Sequence, residues 1–120
     1  MSRPVNSADL LRGAAVGVVA PPIGYLLLMN LPALLFVAAL VLAALRRTPE
    51  SMAERMLGWI LLLPIGVTGL WAGTSHVFFA ATAAAHIGWQ TSPFQFEVGV
   101  ANLGIGVSAI AATWLGRPAG

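Results

Sequence analysis

Between Arg55 and Arg117 the sequence has no arginine or lysine, and its only acid there is Glu97. So little charge cannot dress a water-facing surface. Ordinary soluble domains carry about 25% charged residues, against 8% in this chain. Earlier, Leu10 to Leu45 is almost continuously apolar, broken only by Arg12, Asn30 and prolines. Apolar runs of this length reach the roughly 20 residues a helix needs to cross a bilayer. The expectation is a single-domain, all-α, polytopic membrane protein.

The six basic residues are all arginine and the net charge is +2. A pI near 10.6 raises nucleic acid as a partner. The arginines are scattered and form no basic face, so that partner is rejected. They read instead as topology signals flanking spans. Cysteine is absent, which removes disulfides, thiolate catalysis, cysteine-ligated metals and iron–sulfur clusters together. The N-terminus has some features of a secretory signal, with Arg3 ahead of an apolar Leu10–Ala20. Pro21 would follow the cut and Asp9 and Arg12 interrupt the region, so the segment is expected to be retained.

Ser7 can cap a helix opening at Ala8, with Asp9 in its first turn. Pro21-Pro22 stops or kinks that helix. The reading is a short interfacial or half-inserted helix over 8–20, then a first span over 23–45 with a kink near Pro32. A break at Asn30, giving four spans in all, is the alternative. Gly13 and Gly17 form a GxxxG pair on the first piece. Arg46, Arg47, Glu50, Glu54 and Arg55 make the most charged segment, and Ser51-x-x-Glu54 fits a capping box. Three arginines here place this loop on the cytoplasmic side of a bacterial inner membrane. With three spans the N-terminus is then external, against the pull of Arg3 and Arg12; the four-span alternative puts it inside.

The second span is expected over 56–85, long enough to tilt or to kink at Pro64. Gly66, Gly69, Gly73, His76, Ala80 and Ala83 recur at spacings of three and four and so share one helix stripe. That stripe is a groove against which a neighbouring backbone can lie. Gln90-Thr91-Ser92-Pro93 reverses the chain on the external side. The third span runs over 96–115, opened by Glu97, with Gly99, Asn102, Gly106 and Ala109 on one stripe. Ala101, Gly104 and Ser108 make another.

Ile87-Gly88-Trp89-x-x-Ser92-Pro93-Phe94-Gln95-x-Glu97-x-Gly99-x-x-Asn102-Leu103 resembles the signature of an uncharacterised bacterial membrane-protein family, a domain of unknown function. Upstream, Gly73-x-x-His76-x-Phe78-Phe79 is similar to the same family. The resemblance covers roughly residues 56–107. It implies several membrane helices and no assigned activity. It also implies a further C-terminal helix after the third span.

An ionisable group inside a membrane usually has a partner or a task. His76 is expected about 15 Å deep, counted back from His86 at helical rise. Asn102 is its expected hydrogen-bond partner across the hairpin, with Ser108 the alternative. The bond can simply lock the helices. His76 can otherwise serve a proton or ligand, or bind haem axially. His76 and His86 lie about 15 Å and roughly 80° apart on an ideal helix and cannot easily share a metal. His86 and Glu97 flank the same turn and can pair. Glu97 reads as a helix cap or as a carboxylate lining an ion or ligand site. Trp71 reads as packing, or as the wall of a pigment, quinone or lipid site.

No nucleotide-binding loop, dinucleotide fingerprint, HExxH helix or Gly-x-Ser-x-Gly elbow is present, so an enzyme acting alone is not expected. The functional expectation is an accessory or structural subunit packed against partner helices or in a homo-oligomer within the bilayer. The alternatives are a protomer of an oligomeric ion or small-molecule transporter, and a haem, quinone or pigment protein. No cofactor is named by the residues themselves.

Overall fold

A computed structural model describes Pro4, residues 6–8 and residues 22–116. The helix expected over 8–20 lies outside the described residues, apart from Ala8, and so do Arg12 and the Gly13/Gly17 pair. The regular elements described are all helical: α1 (Ile23–Met29), α2 (Leu31–Leu45), α3 (Met52–Ile60), a π-helical stretch (Leu61–Val67), α4 (Thr68–Phe78), α5 (Ala80–Ile87) and α6 (Pro93–Leu115).

The kink expected near Pro32 is a 78° bend between α1 and α2. Pro32 sits in the first turn of α2, where its missing N–H removes a bond that a continuous helix would make to Leu28. Asn30 closes the first piece instead. Its backbone N–H and its side-chain Nδ2 both donate to the Leu26 carbonyl, at 3.1 and 2.8 Å. Residues 23–45 are therefore a broken pair of helices, not one straight rod.

Ser51 and Glu54 start α3 with a reciprocal capping box. The Ser51 N–H donates to Glu54 Oε2 at 2.8 Å, and the Glu54 N–H donates to Ser51 Oγ at 3.2 Å. From Met52 the helix runs unbroken to Phe78, so the rod starts earlier and ends sooner than 56–85. Its 27 residues span about 40 Å at 1.5 Å per residue and overshoot a hydrocarbon core of about 30 Å, which demands tilt or projection. Pro64 does not end it. The π-helical stretch around Pro64 absorbs the lost i→i−4 bond in a wider turn. The rod stops at Phe79, whose φ −126° and ψ 42° leave the helical region. After α5, Gly88 turns left-handed at φ 74°. The Trp89 N–H then closes on the Ala84 carbonyl at 2.8 Å, a glycine-terminated helix end.

α6 returns along α4 and the π-helical stretch, while α2 packs on α3 and the same stretch from the other flank. The α4–α6 contact is backbone on backbone. A Cβ added to Gly73 would lie 2.7 Å from the Leu103 nitrogen, and one on Gly106 would lie 2.8 Å from the Leu70 nitrogen. On the α2 side Ala39 and Ala43 are fully buried. Arg55 seals the loop between α2 and α3. Its Nε donates to the Ala43 carbonyl at 3.0 Å, and one Nη donates to the Thr48 and Glu50 carbonyls, each at 3.1 Å. The Ala43 carbonyl belongs to the last turn of α2, which has no helical donor of its own.

Apart from Gln95 the buried residues described are glycine and alanine, while Trp71, Phe78, Phe96 and Ile105 stand exposed. Water-soluble proteins do the reverse. Small residues inside and large apolar residues outside are the packing of helices in lipid, where close backbone approach replaces hydrophobic drive. Met52–Phe78 and Pro93–Leu115 are each long and apolar enough to cross a membrane, and the bent α1–α2 pair makes a third if it counts as one span. The chain has the build of a membrane protein.

Candidate functional site

Gln95 is the buried polar side chain among the described residues, with 1% of its surface exposed. It enters α6 at the third position, after Ser92 and Pro93. Its side-chain Nε2 lies 2.7 Å from the Ala80 carbonyl and 3.2 Å from Nδ1 of His76. The carbonyl can only accept, which fixes the amide with its nitrogen on this side. One amide hydrogen then goes to Ala80 and the other to His76. With the amide turned this way, Nδ1 of His76 is placed to accept. A proton on Nδ1 would set donor against donor.

One side chain of α6 in this way ties α4, through His76, to the first residue of α5. The tie spans the break at Phe79. Oε1 of Gln95 is buried and faces no donor among the described residues. The Trp89 ring lies 6.0 Å from that of His76, and the Phe94 ring 6.3 Å from Trp89. Gly99 lets the helices close here, since a Cβ on it would lie 2.7 Å from Val77 Cγ2 and 3.0 Å from His76 Cβ.

Residues 27–119 match a family described as a family of unknown function, DUF6790. The chain belongs to the DUF6790 family. No curated protein and no solved structure matches the chain. The family match takes in most of the bent pair and every described residue after it, so the His76–Gln95 tie belongs to the DUF6790 region.

The other expected partners do not meet. Asn102 does not reach His76: its Nδ2 donates to the Val98 carbonyl of its own helix at 2.9 Å. Ser108 is exposed. His86 does not pair with Glu97. Its Nε2 lies 2.7 Å from the Met29 sulfur, and its ring stands edge-on to Tyr25 at 5.7 Å, so it pins α1 to α5 instead. Glu97 is not a cap, because α6 opens at Pro93 and Glu97 falls beyond its first turn. It is exposed. Trp71 is also exposed and forms no part of the polar cluster. Gly69, Gly73, Gly99 and Gly106 line the α4–α6 contact. No group of three metal-binding side chains occurs among the described residues.

Gln95 is the residue that the sequence reading passed over. Ser92-x-x-Gln95 has the form of a capping box, which would spend the amide on its own helix start. The Ser92 side chain makes no capping bond. The signal that reveals Gln95 is its register, four residues before Gly99 on the stripe that continues to Gly106.

Proposed function

We propose that this chain is a small subunit of a membrane complex, acting by helix packing rather than chemistry. It crosses the cytoplasmic membrane several times, with the Arg46–Arg55 end toward the cytoplasm. The observation that carries the reading is the second stripe of α6. Ala101, Gly104 and Ser108 are exposed, and a Cβ on Gly104 would meet nothing within 4 Å. The opposite face of the same helix is already filled by α4. A small-residue face left free in lipid suits one occupant, a partner transmembrane helix with a small-residue face of its own. The His76–Gln95 tie serves this reading by fixing α6 in place.

A second reading has one observation in its favour. Glu97 is exposed and precedes Ala101 by one turn, at the head of the same stripe. In a ring of several copies it would line a pathway for an ion or small molecule.

Gentle extraction of tagged protein from native membranes tests both. The expected result is a stoichiometric complex with a different membrane protein, lost with Gly104→Leu and kept with Gly24→Leu. Gly24, like Gly104, has open space where its side chain would go. A homo-oligomer indifferent to Gly104→Leu overturns the subunit reading. Flux that falls with Glu97→Gln would then favour the second.

A further inference from the structure

A groove of ≈ 500 Å³ opens at the arginine end of the molecule, between the start of the long rod and the end of α6. We infer that it seats one phospholipid whose headgroup carries both a phosphate and a primary ammonium.

The wall below the mouth is apolar, with Leu61 and Leu62 from the rod and Ala112 from α6. Gly58 lines the groove as well, and a Cβ there would meet nothing within 4 Å. An acyl chain lies naturally along such a slot, since both walls are helices that are themselves apolar enough to cross the bilayer. The mouth holds Arg46, whose guanidinium stands 5.6 Å over the Trp59 ring. A cation stacked on an interfacial tryptophan sits at headgroup level. Arg46 has no hydrogen-bond acceptor or carboxylate partner among the described residues. Its planar fork is thus free for phosphate oxygens.

The acids decide the headgroup. Arg55, Glu50 and Glu54 also line the mouth. Arg55 gives its Nε and one Nη to backbone carbonyls, and its other Nη lies 3.9 Å from the Met52 sulfur. The two carboxylates therefore stand beside the arginines without ion pairing among the described residues. Glu54 accepts from the Ser51 N–H and Glu50 from the Thr48 hydroxyl, each through Oε2. That leaves Oε1 of both free for a further donor. A purely anionic headgroup would meet two like charges here. A phosphate with an ammonium beside it meets complementary charge at both ends. An ammonium with N–H donors suits carboxylates better than a quaternary one, which has none.

The inference rests on residence in a bilayer and not on the subunit reading, and its test needs no partner protein. Native mass spectrometry of the full chain, from detergent containing equal amounts of phosphatidylethanolamine, phosphatidylcholine and phosphatidylglycerol, reads the retained lipid. Retention of the ethanolamine lipid is expected about tenfold above the other two, the factor carried by about 1.4 kcal/mol. Arg46→Gln lowers retention of every phospholipid, whereas Arg47→Gln, outside the groove, does not. Glu50→Gln with Glu54→Gln brings ethanolamine down to choline; glutamine can still serve at the third position of the capping box. Gly58→Leu fills the slot and abolishes retention, while circular dichroism shows helicity unchanged. Glycerol lipid retained as well as ethanolamine lipid would overturn the inference in favour of a plain cation site. Displacement by inorganic phosphate alone, or indifference to both Arg46→Gln and Gly58→Leu, overturns it too.

Discussion

Gly69 and Gly106 pass each other backbone to backbone: a Cβ on Gly69 would fall 2.8 Å from the Gly106 α-carbon. No side chain intervenes, so nothing flexible can yield. Gly69→Ala or Gly106→Ala must part α4 from α6. Overpacking of this kind costs about 1–3 kcal/mol. Gly104→Ala, on the open face of the same helix, should be neutral or slightly stabilising, because alanine is the better helix former. Unfolding of the purified chain in mild detergent checks the order. Equal effects at positions 104 and 106 would mean that α6 does not pack on α4 as described.

The His76–Gln95 tie predicts an asymmetric pair of losses. Gln95→Leu leaves both the Ala80 carbonyl and His76 Nδ1 without their donor, and should cost about 1–3 kcal/mol. His76→Leu leaves the Gln95–Ala80 bond standing and should cost less. A double-mutant cycle should return a coupling of about 0.5–1.5 kcal/mol. Asn102→Ala should show no coupling to His76, since Asn102 bonds its own helix. Coupling of His76 to position 102 instead of 95 would refute the assignment.

Arg55 makes three hydrogen bonds to carbonyls, one in the last turn of α2 and two in the loop that joins α2 to α3. A lysine keeps the charge but lacks the planar fork that reaches all three. Arg55→Lys is expected to loosen residues 46–51 and to speed their amide hydrogen exchange, while Arg47→Lys leaves it unchanged. Unaltered exchange in Arg55→Lys would show that the charge alone holds the loop.

Much of this architecture was written in local signals. The Ser51–Glu54 cap, the exit at Gly88 and the turn before Pro93 each rest on residues that restrict their own backbone. The glycine stripes fixed which faces can approach. What stayed hidden depended on partners distant in sequence. Phe79 carries no breaker chemistry, yet the helix stops there. Asn102 looked suited to His76 by depth, but depth says nothing about whether the amide will satisfy its own helix first. Gln95 was masked because one side chain cannot both fold back on its own helix start and reach across to α4.

The π-helical stretch at Leu61–Val67 lies between two packings that must both be satisfied. Upstream, Arg55 faces α2. Downstream, Gly69 and Gly73 face α6. A π turn closes i→i+5 where an α turn closes i→i+4, so it holds one more residue. Removing one residue from the stretch should return it to α-helix and leave both faces aimed as before. Deleting Leu63 together with Pro64→Ala, which restores the missing N–H, should therefore keep a cooperative melt. Deleting Leu70 from the regular helix should rotate everything beyond it by about 100° relative to α6 and abolish that melt. Circular dichroism melts of the two deletions decide the matter. If both lost cooperativity alike, the stretch would be a response to Pro64 alone and not the joint between two packed faces.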